Sequence, residues 1–291
     1  MFSLILYTFS DILIGTFSSQ QSLYPTDKSL GINSYQIWTE NVRDFKVKNG
    51  EEANRLTVLV YNRIIDEEQL NEPHFTNDDT LQSTIVLTKE FEKQMAYLAK
   101  HNYTSLTGEE FYLYMQNKIT VPKNSVLITF DDGYKNNLDT AYPILKKYKF
   151  TAINFIDTGH ITEKNNETMQ DVTVHDLQKG SDVFDFQSHT YNFHQINEDG
   201  EAYLVSEKQS EIQKDIGISL VNLNKKNAIF SYPYGEYDDE TIEALKQLNI
   251  KMAFTTEGND ARPGMDLYKI PRKTILPDDT IEVFKKKINM W

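Results

Sequence analysis

Apolar runs and amphipathic runs alternate along most of this chain, and the alternation begins at Leu56-Thr57-Val58-Leu59-Val60-Tyr61. That run is apolar and β-branched, the signature of a buried strand. Residues 66–83 form a long polar loop that carries His74, Asp78 and Asp79. Thr88 is placed to cap a helix with Phe91, Met95 and Leu98 on one face. Thr107-Gly108-Glu109-Glu110 is a capping box, and it opens a second helix through Tyr114. Ser125-Val126-Leu127-Ile128-Thr129-Phe130 repeats the buried-strand pattern. A helix follows over 138–148, bent or begun at Pro143. Further strands are expected at 151–156, 183–187, 228–231, 251–255 and within 267–275. Thr173 caps a short helix with Asp176 at its third position, while 201–224, 239–248 and 278–290 read as longer helices. Strands thus alternate with helices about seven times, which implies parallel βαβ units in a closed barrel or an open doubly wound sheet.

The pattern is different before residue 55. Residues 2–17 are strongly apolar and resemble a worn or truncated export signal or signal anchor, although no Lys or Arg precedes them and Asp11 interrupts the run. A buried N-terminal strand or helix is the alternative. Residues 21–54 are a polar spacer with turns at Tyr24-Pro25-Thr26-Asp27 and Lys48-Asn49-Gly50-Glu51, in which Tyr35, Ile37 and Trp38 are placed to pack on the domain. The division is therefore an apolar segment over 1–20, a spacer over 21–54 and one catalytic domain over 55–291.

Composition narrows the classes of function. The formal net charge of −13 argues against a nucleic-acid partner, since phosphate binding needs a basic face. The absence of cysteine removes disulfides, thiolate metal sites and cysteine nucleophiles together.

Three stretches carry the chemistry, and each follows a predicted strand. The first is Asp131-Asp132-Gly133. Neighbouring side chains on a regular strand face opposite ways, so two adjacent aspartates share one site only if the backbone curls, as Gly133 permits. The alternative is a plain Asp-Gly surface turn. The second stretch, 186–194, places His189 and His194 five residues apart, and two imidazoles with one carboxylate make a facial metal triad. The third, Tyr232-Pro233-Tyr234-Gly235, fixes a backbone amide at Tyr234 that suits an oxyanion hole. An aromatic turn is the plainer reading.

Taken in order, Thr129-Phe130-Asp131-Asp132-Gly133, His189-Thr190 with His194, and Tyr232-Pro233-Tyr234-Gly235 resemble the polysaccharide deacetylases of carbohydrate esterase family 4, the NodB homology domain. The five-residue histidine spacing and the Tyr-Pro-Tyr-Gly form are most similar to the branch that deacetylates poly-β-1,6-N-acetylglucosamine in biofilms. Tyr142-Pro143-Ile144-Leu145 and Tyr268-Lys269-Ile270-Pro271-Arg272 extend the resemblance over residues 56–275.

The resemblance implies a distorted (β/α)7 barrel and a divalent metal, zinc foremost, with Co²⁺, Ni²⁺ or Fe²⁺ also compatible. Asp132, His189 and His194 would hold it, and Asp131 would be the general base. The Tyr234 amide would stabilise the oxyanion, with Tyr191, Tyr232 and Pro233 against the substrate. It also implies a monomeric, secreted or cell-surface enzyme that meets an N-acetylglucosamine polysaccharide at the wall or membrane surface.

Two positions depart from the family pattern. The arginine that orients the base in the third motif is missing, and Arg272 is the candidate for its task; a surface ion pair is the alternative. The general-acid histidine on the first strand is replaced by Asn62, which cannot act as an acid. A slow enzyme, a substitute donor such as His74, a weakened carbohydrate-binding biofilm protein, or a deacetylase of a peptidoglycan- or chitin-type polymer all stay open.

Overall fold

The computed structural model describes residues 23–163 and 172–288. The apolar segment expected over 1–20 lies outside them. β1 (Thr57–Tyr61), β2 (Arg63–Ile65) and β3 (Ile85–Leu87) come first, followed by helix α1 (Thr88–Lys100). β4 (Thr104–Ser105), α2 (Gly108–Met115), β5 (Ser125–Phe130), α3 (Tyr142–Tyr148) and β6 (Ala152–Ile156) continue the alternation. α4 (Val174–Gly180), β7 (Phe184–Ser188), α5 (Tyr203–Ser206), α6 (Gln209–Leu223) and β8 (Phe230–Ser231) follow. α7 (Asp239–Gln247), β9 (Ala253–Phe254), β10 (Lys273–Thr274) and α8 (Ile281–Ile288) complete the described order.

β2 and β3 form a separate two-stranded sheet, while the other eight strands form one parallel sheet in the order β10-β1-β5-β6-β7-β8-β9, with the short β4 paired beside β5. Its two edges approach each other. Ile270 bridges Phe254 of β9, and three residues on Lys273 pairs with Leu59 of β1, which curls the sheet into the expected distorted barrel. Alternate residues serve opposite faces, as the strand period requires. Tyr61, Ile128, Phe130 and Ile156 pack with Phe91, Met95 and Leu98 of α1. Val58, Leu127, Phe155 and Phe254 pack on the other face with Phe111 and Tyr114 of α2. Because every strand runs the same way, their carboxyl ends share one rim, where barrels of this kind gather functional groups.

Local structure departs from expectation in several places. Leu87, not Thr88, precedes the first turn of α1, and no side chain caps it. The helix expected over 138–148 begins as a π-turn, Asn137–Ala141, and becomes α3 at Tyr142, with Pro143 in its first turn, where a missing N–H costs nothing. The helix over 201–224 breaks into α5 and α6, and Asn224 ends the second in the left-handed region at φ 52°. The long loop after β1 is flanked by β2 and β3, which pair in parallel with Arg63 opposite Ile85.

The spacer also behaves differently. Tyr24, Leu30 and Ile32 belong to the main buried cluster. Gln36 donates to Phe184 O at 2.7 Å and Trp38 to Ser181 O at 2.6 Å. Arg43 holds the buried Glu110 with two nitrogens, at 2.7 and 2.5 Å. Tyr35 and Ile37 face solvent instead of packing. Residues 23–45 are thus a strap along the barrel wall, tied by polar side chains too irregularly spaced to show a helix or strand period.

Candidate active site

The focal stretch lies at the end of β5. Asp131 N–H still donates to Tyr61 O of β1 at 3.0 Å, so the ladder reaches this residue. The backbone then turns left-handed at Asp132 (φ 69°) and Gly133 (φ 68°). A Cβ on Gly133 would come within 2.8 Å of Ile156 Cγ2, so the turn needs both the conformation and the bareness of glycine. This is the curl that brings the two aspartates to one site.

Asp131 is buried and answered by a buried guanidinium. Arg272, with no exposed surface, lies just before β10. It donates from both terminal nitrogens to the two Asp131 oxygens, each at 2.7 Å. The same guanidinium donates to Ser231 Oγ at 2.8 Å, to Thr129 Oγ1 at 3.2 Å and to Thr255 O at 2.9 Å. Ser231 Oγ in turn donates to Asp131 Oδ2 at 3.2 Å. Ser231 stands in the third motif, and Arg272 spans the gap from another strand. The fork geometry fixes the carboxylate plane, which a lysine would not do.

Asp132, His189 and His194 offer ligand atoms that all lie within 4.8 Å of one another. His189 Nε2 is 3.4 Å from Asp132 Oδ1. His189 Nδ1 is 2.9 Å from Ser231 O. A carbonyl only accepts, so Nδ1 carries the proton and Nε2 keeps the lone pair a metal needs. His194 Nδ1 is 2.9 Å from Asp157 Oδ2 and 3.6 Å from Asp132 Oδ1. Burial would raise the Asp132 carboxyl, but the His189 hydrogen bond, the charge on His194 and the Asn62 amide hold it well below the usual carboxylate range. Burial would lower the His194 imidazole, yet Asp157 and Asp132 raise it to about 9.

The third stretch supplies a short 3-10 turn, Pro233–Gly235, after β8. Gly235 N–H donates to Tyr232 O at 2.9 Å and Glu236 N–H to Pro233 O at 3.1 Å. The Tyr234 N–H lies ahead of both bonds, in the first turn, where helix amides have no internal partner. Tyr234 itself is left-handed at φ 59°, and Thr190 of the histidine loop has φ 90°. Aromatic and β-branched residues rarely adopt such angles, and strain of this kind gathers at functional sites. Tyr234 is 42% exposed, and its ring centroid lies 4.7 Å from that of His194 in an edge-to-face arrangement.

The other aromatics of these motifs do not face the site. Tyr191 is 7% exposed and donates its hydroxyl to Tyr24 O at 2.7 Å. Tyr232 is fully buried, stacks on Tyr237 and donates to Tyr268 O at 2.9 Å. Pro233 is buried as well. Their expected contact with substrate is corrected accordingly: these side chains build the walls, and Tyr234 alone of the four presents a face.

Asn62 follows β1 and donates its amide to Asp132 Oδ2 at 2.9 Å. His74 sits on the long loop in a short turn, where Nδ1 accepts from Asn71 N–H at 3.1 Å. The structure does not bring it into the cluster. Sequence reading missed two groups here. Asp157 follows β6 just as Asp131 follows β5, an apolar strand ending in a carboxylate, and that parallel was the available signal. Ser231 gave none, since its role depends on Arg272.

Two aspartates, two histidines and a left-handed turn residue thus meet on the rim of a parallel barrel. A sequence profile of the polysaccharide deacetylases matches residues 118–253. The poly-β-1,6-N-acetyl-D-glucosamine N-deacetylase of Staphylococcus aureus (strain MSSA476) is 31% identical over 242 residues, covering 80% of this chain and 83% of that protein. Its namesake in Staphylococcus epidermidis is 32% identical over 244 residues, covering 81% and 84%. The chain belongs to the polysaccharide deacetylase family, hydrolases of carbon–nitrogen bonds. Among solved structures, the Streptococcus pyogenes deacetylase PplD, in complex with acetate, superposes with a TM-score of 0.68 at 25% identity, covering 81% of this chain and 98% of that one. IcaB from Ammonifex degensii shares the fold, with a TM-score of 0.67 at 24% identity over 81% and 98%.

Proposed function

We propose that the protein hydrolyses the N-acetyl groups of N-acetylglucosamine units in a β-1,6-linked cell-surface polysaccharide, releasing acetate and leaving free amines. The observation that carries this reading is the cluster of Asp132, His189 and His194 within 4.8 Å, beside the Asp131–Arg272 pair. The substrate in the staphylococcal relatives' names supports the linkage. The residues fit a divalent ion. Two imidazoles and one carboxylate suit zinc first, and the Ser231 carbonyl fixes the His189 tautomer that leaves Nε2 free to bind it. When bound there, such an ion polarises the acetamide carbonyl and acidifies a water.

The chain's own residues do the rest. Asp131 takes the proton of the attacking water, and Arg272 holds its carboxylate in one plane. The Tyr234 N–H meets the oxygen that gains charge as the carbonyl carbon becomes tetrahedral. The exposed Tyr234 ring offers the sugar an apolar face. Asn62 can donate a hydrogen bond but no proton as an acid, so departure of the amine is the slow step. Residues 55–291 form the deacetylase domain, and the 1–20 segment exports the protein to the cell surface or anchors it there.

Acetate release from β-1,6- and β-1,4-linked oligomers by zinc- and cobalt-loaded protein tests the reading. Release from the β-1,6 series is expected. No release by folded, metal-loaded protein refutes it, and preference for the β-1,4 series moves the substrate to a chitin- or peptidoglycan-type polymer. The Asn62 substitution favours a second reading, a carbohydrate-binding protein with weakened chemistry. It predicts oligomer binding without acetate release, with release recovered in Asn62→His.

A further inference from the structure

Buried carboxylates of the described structure are each matched by a defined partner. Asp131 has Arg272, Glu110 has Arg43, Asp185 has Lys225, and Asp215 accepts the backbone N–H groups of Tyr191 and Asn192. Asp157 differs in pairing with a histidine, His194, through Oδ2 at 2.9 Å. Its other oxygen, Oδ1, accepts from Thr190 Oγ1 at 3.3 Å. The reaction as derived above uses Asp157 nowhere.

Its location gives it a task. β6 lies between β5 and β7 in the sheet, so its carboxyl end falls between Asp132 and His189. Asp157 is thereby set under the loop of residues 189–194. Thr190, whose backbone is left-handed, donates its hydroxyl to this carboxylate and accepts from Phe193 N–H through the same Oγ1 at 3.1 Å. His194 lies on an irregular loop with no helix or strand to fix its ring, and Asp157 is the nearer of the two carboxylates at its Nδ1. A carboxylate at hydrogen-bond distance retains the proton on Nδ1 and leaves the lone pair on Nε2.

We propose that Asp157 is a positioning residue for the metal site, fixing the ring and tautomer of His194 so that Nε2 is its ligating nitrogen. This rests on the metal-site reading above, and it assigns to His194 what the Ser231 carbonyl does for His189. The two histidines are thus oriented by different chemistry: one by a neutral carbonyl, the other by a full negative charge that also makes the imidazole a stronger donor.

The test reads metal binding, not turnover. Competition with a chromophoric chelator gives the zinc affinity of wild type and Asp157→Asn, and the visible spectrum of the cobalt-loaded proteins reports ligand geometry. A fall in affinity of about 10–100-fold with an altered cobalt spectrum is expected. An affinity within about twofold of wild type and an unchanged spectrum would overturn the proposal. Should Asp157→Asn fail to fold, long-range ¹H–¹⁵N spectra of zinc-loaded, ¹⁵N-histidine-labelled wild type decide it. They must show a protonated Nδ1 at His194, and zinc on Nδ1 overturns the assignment. Failure of wild type to bind zinc at all would instead remove the underlying metal-site reading.

Discussion

On one side of the strand-end rim, Asp131 is closed in by Arg272, Ser231 and Thr129, groups drawn from three different strands or their flanks. On the other side, Asp132 accepts from the amide of Asn62, at the position where the sequence resemblance expects a histidine. Both sides depart from the family pattern. On the first, the barrel pairs β10 with β1 and brings Arg272, proposed to replace the missing arginine, onto Asp131 at the end of β5. On the second, the neighbouring groups are spoken for: His74 is held in its own turn, and Arg63 donates to Gln82 and Thr84 and lies over the Tyr134 ring. A lost positioning group can be replaced from anywhere the fold can reach. A lost proton donor needs a titratable atom at one point.

The largest break in that contrast is at the Asp132–His189–His194 cluster proposed to hold the metal, which serves both sides. His189→Ala removes a ligand and should abolish zinc binding and reduce acetate release to background, checked by metal analysis of dialysed protein alongside the assay. Arg272→Lys comes next. It removes the fork while keeping a charge, so Asp131 keeps a cationic neighbour but loses its bidentate hold. A lowered melting temperature and a kcat reduced about 10–100-fold, without loss of bound metal, are expected from the loss of an oriented base. Asn62→His acts in the opposite direction. It places an imidazole beside Asp132 and should raise kcat about tenfold or more, with a new limb at alkaline pH in the rate profile. No gain would show that amine departure is not the slow step.

The smallest effect sharpens the role of the loop that carries the histidines. Burial pushes the Asp215 carboxyl up to about 7, against the backbone amides of Tyr191 and Asn192 that lower it. An acid raised in the folded state binds more protons there than in the unfolded chain. Its contribution to stability is therefore present below about pH 4 and lost as pH rises through 7. Asp215→Asn should flatten the melting temperature between pH 4 and 7, measured by calorimetry. An unchanged slope would contradict the assignment.

Much of the barrel was legible because strand and helix periods differ so plainly, and because capping boxes at Thr107 and Thr173 mark helix starts by side-chain chemistry. The two aspartates, the histidine pair and the Tyr-Pro-Tyr-Gly turn were legible because each follows a strand. The strap was not, since Gln36 and Trp38 act through single hydrogen bonds to distant backbone and Arg43 through a fork on the distant Glu110. Tyr191 and Tyr232 misled because a loop aromatic reads as exposed, whereas here each hydroxyl finds a buried carbonyl. Asp157 was passed over because its importance lies in His194, 37 residues later.

Asp131 is proposed above as the base of a metal-loaded deacetylase. Acetate release from a β-1,6-linked N-acetylglucosamine oligomer, by zinc-loaded wild type and Asp131→Asn at equal metal occupancy, tests it most directly. Release by wild type and a fall of about 10²–10⁴-fold in the variant are expected. Equal rates from the two proteins would contradict it.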